Sequence, residues 1–230
     1  MMVLAARNLE FAWRGRDGEI KAVSDFSAAF PGGVPHLICG PSGSGKTTLG
    51  YLLSGLAVPD AGSVSLTGVL PGQRDNIAYV FQFAEDLFFE DTVAGELKQI
   101  AGGREERAHE VFAQLGIHLS EILAQPPHRL SAGYARLVAV GLQMARDPQV
   151  LILDEPTIGL DWRFHQSMAA ALRNWISPSR ILIVITHDLD LMRELGGQAW
   201  VVLGGQLAWS GDVAALLADV SLLEKFALRF

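Results

Sequence analysis

The sequence predicts an α/β fold in three parts: a parallel-sheet core, an antiparallel β subdomain and an inserted helical subdomain. Three observations carry this prediction. First, Gly40-Pro41-Ser42-Gly43-Ser44-Gly45-Lys46-Thr47-Thr48 lies between the apolar run His36-Leu37-Ile38-Cys39 and the helically spaced Leu49, Leu52, Leu53 and Leu56. This is a strand, a glycine-rich loop and a helix in succession. Second, Val150-Leu151-Ile152-Leu153 and Ile181 to Ile185 are continuous apolar runs, the pattern of parallel strands buried on both faces. Third, from Thr92 to Arg146 the apolar residues recur at helical spacing instead. The core and β subdomain are assigned to residues 1–83 and 147–230, and the helical subdomain to 84–146.

Taken in order, Val3 to Ala6 and Asn8 to Trp13 read as strand material, followed by a polar turn from Arg14 to Gly18. Phe26, Ala28 and Phe30 alternate with polar or small residues, as in a half-buried strand. Pro31-Gly32-Gly33 then turns the chain into the strand before the glycine-rich loop. After the loop helix, Pro59-Asp60-Ala61-Gly62 breaks the pattern, and Ser63 to Leu66 and Asn76 to Phe81 read as strands. Residues 1–35 and 60–81 are therefore expected to form an antiparallel sheet beside the core. Within the helical stretch, Val111, Phe112 and Leu115 share one face, Pro126-Pro127 interrupts, and a longer helix begins after Ser131. Asp161 is placed to cap a helix whose Phe164, Met168, Leu172 and Trp175 form an apolar stripe. Trp200 to Leu203, Gly204-Gly205 and Gln206 to Trp209 read as a hairpin, and Asp212 to Phe230 as a helical tail.

Composition narrows the function. Half of the 230 residues are apolar, 19% are charged and 24 are glycine, which is the profile of a folded α/β protein. Cys39 is the only cysteine, so no intrachain disulfide is possible and a reducing, cytosolic compartment fits. Next to the loop, its expected role is a buried, unreactive thiol. No apolar run approaches the roughly 18 residues of a membrane span. Met1 to Phe11 lacks the basic start and apolar block of a signal peptide. A net charge of −7 argues against nucleic acid or anionic lipid as the main partner. Work at a membrane then requires a protein partner there.

The glycine-rich loop matches G-x-x-x-x-G-K-[ST], the phosphate-cradling P-loop. Its glycines let several backbone N–H groups point at phosphate oxygens, and the helix N-terminus adds its dipole. Lys46 supplies a charge for the β- and γ-phosphates, and Thr47 a hydroxyl for Mg²⁺. Asp154, at the C-terminal edge of a buried strand, is suited to hold Mg²⁺ through its water shell. Glu155, one residue further, can orient a water in line with the γ-phosphate. His187, in Thr186-His187-Asp188 at the end of the next buried strand, can donate a hydrogen bond to that phosphate. His36, His109, His118, His128 and His165 are read as structural or surface residues.

Leu130-Ser131-Ala132-Gly133-Tyr134, opening a helix, resembles the Leu-Ser-Gly-Gly-Gln signature of ABC ATPases. Gln82 after a strand, the Gly159-Leu160-Asp161 turn after Glu155, and the P-loop, Asp154-Glu155 and His187 fall in that family's order along nearly the whole chain. The chain therefore resembles an ABC transporter ATP-binding subunit. The resemblance implies the ABC ATPase fold, a RecA-like P-loop core carrying an antiparallel β subdomain and an inserted helical subdomain. It also implies ATP and Mg²⁺ as ligands, with Gly40 to Thr48 around the phosphates. Trp13 stands where the family has an aromatic stacking on adenine, and Gln82 where it touches Mg²⁺ or the attacking water. Two such subunits, identical or different, close head-to-tail, so that Ser131 and Gly133 of one meet the γ-phosphate held by Lys46 of the other. Ala132 and Tyr134 depart from the signature, and Ala132 adds a Cβ where backbone approaches phosphate. Ser131 and Gly133 keep a hydroxyl and a flexible N–H, so contact there is weakened rather than excluded.

The stretch from Phe81 to Phe89, with Gln82, Glu85, Asp86, Phe88 and Phe89, is similar to the segment Phe-Gln-x-Pro-Glu-Asp-Gln-Phe-Phe of energy-coupling factor (ECF) ATPases of vitamin, cobalt and nickel uptake. The similarity implies that Gln82 to Phe89 receives coupling helices of a transmembrane subunit, on the cytoplasmic face of the membrane. Phe88 and Phe89 suit either that role or packing inside the helical subdomain. Another ABC importer or exporter, or a non-transport ABC ATPase, is the alternative.

Overall fold

The computed structural model describes residues 2–16, 18–67, 77–83, 88–102 and 104–228. The chain opens with two long antiparallel strands, β1 (Val3–Gly15) and β2 (Gly18–Pro31), paired from Val3↔Pro31 to Gly15↔Gly18. The register shifts between Ala6 and Leu9, where Asn8 takes a φ of 47°, so a bulge bends β1 over the core. β3 (Pro35–Cys39), wholly buried, leads into the loop, and α1 (Lys46–Ser54) follows it. α1 ends at Gly55 in the left-handed conformation, which leaves Leu56 outside the helix and exposed. The expectation that Leu56 continues the apolar stripe fails for that reason. β4 (Ala61–Thr67) pairs with the free side of β1, giving a three-stranded antiparallel sheet of order β2-β1-β4.

β5 (Ile77–Val80) corrects a second expectation. It joins the core sheet, parallel to β6 (Val150–Asp154), rather than the antiparallel sheet. β5 is the edge strand of that sheet, yet Ala78, Tyr79 and Val80 are buried, Ala78 and Val80 in the core on one face and Tyr79 in the core on the other. Asn76, included in the expected strand, lies outside the described residues. Between β5 and β6 run α2 (Val93–Ala101), α3 (Glu105–Gln114), the short α4 (Leu119–Ile122), a 3₁₀ turn at Pro127–Arg129 and α5 (Ala132–Ala145). Thr92 caps α2 by accepting from Gly95 N at 3.1 Å. Ala108, Val111 and Phe112 of α3 are buried.

The chain continues through α6 (Trp162–Trp175), β7 (Ile181–Ile185), α7 (Leu189–Leu195), β8 (Gln198–Leu203) and β9 (Gln206–Asp212). Two short helices, α8 (Val213–Ala218) and α9 (Val220–Lys225), make the described tail and are capped by Asp212 and Asp219. The core sheet has the order β5-β6-β7-β3-β8-β9, parallel except for the last pair. Alternation along its strands builds two cores. Leu37, Cys39, Leu151 and Leu153 face the helical insertion and α6. Ile38, Val150, Ile152 and Ile183 face α1 and the antiparallel sheet. The C-terminal ends of β3, β6 and β7 come together at one edge, the edge where α/β sheets bind ligands.

Candidate active site

The loop from Gly40 to Thr48 wraps the end of β3. Gly40 has φ 142°, and a Cβ there would stand 2.2 Å from the Val202 carbonyl oxygen. Gly45 has φ 98°, with the Ala22 carbonyl equally close. Only glycine fits either position. The Lys46 ammonium lies across the loop, donating to the carbonyls of Gly40 at 2.8 Å and Pro41 at 2.9 Å. Burial pushes Lys46 below its usual range, while Glu155 and Asp154 oppose that shift. The Ser44 hydroxyl is buried inside the loop and has no hydrogen-bond partner among the described residues. A buried polar group left unpaired in a glycine-rich loop of this pattern fits a phosphate-binding loop. Trp13, about half exposed, packs edge-on against Phe11 and donates from Nε1 to the Thr48 hydroxyl at 3.1 Å.

Two carboxylates reach the loop from β6. Asp154 is buried; it accepts from the Tyr79 hydroxyl at 3.0 Å and shares a hydrogen bond with Thr47. Burial pushes its carboxyl above the usual carboxylate range, and the bonds from Thr47 and Tyr79 pull against that. Burial, then the Asp154 charge, likewise raise the Tyr79 phenol, which stays a donor. Glu155 is also buried and has φ 50°, an uncommon conformation for a residue with a side chain. Its N–H donates to the Ile185 carbonyl at 2.8 Å, which locks the turn to the end of β7. Its carboxylate meets His187 Nδ1 at 2.5 Å and accepts from the Thr186 hydroxyl at 3.1 Å. Glutamate and histidine thus form one unit, delivered by adjacent strands. Cys39 is buried at the C-terminal end of β3, and burial pushes its thiol up to about 12, which leaves it inert.

A cavity of about 390 Å³ is lined by Gly40, Pro41, Ser42, Gly43, Lys46, Thr47, Gln82, Asp154, Glu155 and His187. Ala227 and Leu228, after α9, close one side of it, and no periodicity pointed to them. Ser44, Gly45 and Thr48 belong to the loop behind the lining. Trp13, Ser131 and Gly133 are not among the lining residues. Gln82 reaches the cavity with its main chain held: Arg136 of α5, almost fully buried, donates to the Gln82 carbonyl at 2.7 Å and also to that of Ile158.

Ser131 caps α5, accepting from Tyr134 N at 3.3 Å. Gly133 has an intrachain constraint that its sequence context does not reveal. A Cβ on it would lie 2.6 Å from the Gly159 carbonyl oxygen. Tyr134 packs edge-on against Phe164 of α6, with ring centroids 5.5 Å apart. The start of α5 is therefore fitted against the turn before α6. Gly133→Ala is expected to destabilise the chain by about 1–3 kcal/mol, because a backbone carbonyl cannot swing aside as a side-chain end can. Chemical denaturation checks this, and an unchanged midpoint would refute the packing argument.

A hub beside the catalytic-type pair escaped the sequence reading. Asp188 accepts from Asp190 N and Leu191 N at 3.0 Å each, from the Thr157 hydroxyl at 2.7 Å, and pairs with His165 Nε2 at 2.8 Å. Burial works against its charge, but bonds from Leu191, Thr157 and His165 outweigh it and hold the carboxyl below the usual range. The only sequence signal was an aspartate following His187.

The segment Gln82 to Phe89 is described in part, and Ala84 to Leu87 lie outside the described residues. Phe88 is half-buried against the helical insertion, whereas Phe89 is 81% exposed. Both border a groove of about 280 Å³ shared with Phe81, Ile100 and Leu142. Among the described residues no helix is long and apolar enough to cross a membrane.

The family model for the ABC transporter matches residues 23–158. The cobalt import ATP-binding protein CbiO of Rhodobacter capsulatus is 34% identical, across 99% of this chain and 85% of its own. The energy-coupling factor transporter ATP-binding protein EcfA2 of Streptococcus pneumoniae is 32% identical, across 99% of this chain and 88% of its own. Among solved structures, cbiO1 from Clostridium perfringens, part of the transporter complex cbiONQ, superposes with a TM-score of 0.77. That match has 24% identity and covers 99% of this chain and 95% of the other.

Proposed function

Since this chain belongs to the ABC transporter family and is an ATP-binding, ATP-hydrolysing subunit with the ABC ATPase fold, we propose that it energises an ECF-type importer of a micronutrient. In this reading two cassettes, identical or different, close head-to-tail around ATP, and the pair is held by transmembrane subunits at the cytoplasmic face of the membrane. Residues 1–83 and 147–230 form the nucleotide core with its β subdomain, and 84–146 form the helical arm that bears the signature. The names of the relatives support the ECF assignment: they are cobalt import and energy-coupling factor proteins, matched over 85% and 88% of their own chains.

One observation carries the catalytic part. Lys46, Asp154, Glu155 and His187, from three separate strand ends, line a single cavity around a loop with an unpartnered buried hydroxyl at Ser44. Gly40 to Thr48 bind the triphosphate, and the Lys46 donors that reach two carbonyls exchange them for phosphate oxygens. Thr47 and Asp154 are adjacent hard oxygen donors, with no cluster of three His, Cys, Asp or Glu among the described residues. That set fits Mg²⁺, which keeps waters and takes substrate phosphates. When bound, the ion neutralises charge on the phosphates, and Gln82 stands at the same cavity to meet it or the attacking water. Glu155 orients that water and accepts its proton, while His187 steadies Glu155 and the γ-phosphate. Trp13, beside Thr48, offers its ring to adenine, and Ser131 and Gly133 close over the partner's nucleotide.

Gln82 to Phe89 forms the contact to the membrane subunit, with Phe89 as its apolar anchor. Phe89→Ser is expected to cut recovery of the membrane subunit about tenfold or more when this chain is purified from membranes through a tag. The mass and stoichiometry of the complex provide the check. Full recovery in the variant removes Phe89 from the contact, and wild-type chain purified without any membrane-spanning partner overturns the transporter reading.

A further inference from the structure

His165 enters the structure as a second histidine close to the catalytic pair. It lies in the first turn of α6, is nearly buried, and points its Nε2 at Asp188 Oδ2 over 2.8 Å. Its Nδ1 is buried without a partner among the described residues. Because the Asp188 carboxylate is an acceptor, Nε2 is the donor in this bond. Trp162 stacks parallel to the ring, with centroids 5.9 Å apart and planes within 6°.

Asp188 joins three elements at one carboxylate. Thr157, two residues after Glu155, donates to the same Oδ2, and Asp190 and Leu191 donate from the start of α7. The Asp188 N–H in turn donates to the Thr186 hydroxyl at 3.0 Å, and that hydroxyl donates to Glu155 Oε2 at 3.1 Å. His187, which meets the other oxygen of Glu155, sits between these two anchored residues. The Glu155 carboxylate is thus fixed from the end of β7, and the end of β7 is fixed to α6 by His165.

We propose that His165 is a positioning residue for ATP hydrolysis, holding Asp188 so that Thr186 and His187 present Glu155 to the attacking water. The inference rests on the catalytic reading of Glu155 and His187 given above. His165 is not among the residues lining the cavity, so its loss is expected to act on turnover and spare ATP binding, which the P-loop governs. A side chain that donates one N–H to Asp188 suffices for the role.

The test is steady-state ATPase of the complex purified from membranes with this chain, comparing His165→Phe, His165→Gln and Glu155→Gln with wild type. His165→Phe keeps a ring beneath Trp162 but removes the donor, and is expected to lower kcat about tenfold with KM for ATP within about twofold. His165→Gln, which retains an N–H donor, is expected to recover kcat to within about twofold. If His165→Phe does not fold, Thr157→Val removes the neighbouring donor to the same oxygen and carries the same expectation. Wild-type kcat in the donor-less variant, a joint change in kcat and KM, or no recovery in His165→Gln overturns the proposal. Should Glu155→Gln itself turn over normally, the catalytic reading fails first; an inactive Glu155→Gln beside a fully active His165→Phe condemns only the positioning role.

Discussion

Glu155→Gln is expected to bind ATP as the wild type does and to hydrolyse it about 10²–10⁴-fold more slowly, the usual cost of losing a general base. The amide keeps the size of the side chain and can still meet Thr186 and His187, so the turn after β6 survives. What disappears is a group able to take a proton from water. Equilibrium binding of a fluorescent ATP analogue, alongside phosphate release from the purified complex, separates the two effects. Turnover near the wild-type rate removes Glu155 from the base role and shifts attention to His187 alone. Because Glu155 adopts a φ of 50° and its N–H is bonded to Ile185, replacement by Ala tests less cleanly: it alters packing at a strained turn as well as chemistry.

Lys46→Ala is expected to act on the other term. Two hydrogen bonds to charged phosphate oxygens at about 1.5 kcal/mol each amount to about 3 kcal/mol, roughly a hundredfold in ATP affinity. The loop itself should hold, because its path is set by the glycines at 40 and 45 and by the first turn of α1. Isothermal titration with Mg-ATP provides the measurement, with thermal unfolding in the absence of nucleotide as the control for fold. Affinity retained within a few-fold would mean that backbone N–H groups and Ser44 hold the triphosphate without the ammonium. The contrast between the variants is diagnostic: Lys46→Ala binds ATP far more weakly, whereas Glu155→Gln binds and stalls.

The departures at Ala132 and Tyr134 acquire a physical setting. Tyr134 packs on Phe164, and Gly133 fits against the Gly159 carbonyl, so the start of α5 is shaped by its own chain as well as by any partner. Ala132 is exposed beside them and carries no such constraint. The helix that bears the signature and the turn before α6 are thus one packed unit in each cassette. Arg136 extends that unit to the Gln82 carbonyl, on the path to the groove under Phe89.

What the sequence determined by itself is local. The β3–loop–α1 unit, the buried strands at Val150–Asp154 and Ile181–Ile185, the helix beginning after Ser131 and the cap at Asp161 are written in neighbouring residues. Each depends on glycine torsions, apolar runs or one side chain reaching the next turn. The family order of motifs was legible for the same reason. Tertiary structure decided whatever depends on two distant segments meeting. It placed β5 in the parallel sheet, because its ladder hydrogen bonds go to β6, about 70 residues away, and no nearby residue announces that pairing. It separated Phe88 from Phe89, one packed and one exposed, although the two are identical in type and adjacent in sequence. It turned His165, read from the sequence only as a structural or surface residue, into the partner of Asp188, and gave Gly133 a reason to be glycine. Backbone propensity acts over a few residues, whereas a hydrogen bond or a close approach is set by which segments the hydrophobic cores press together.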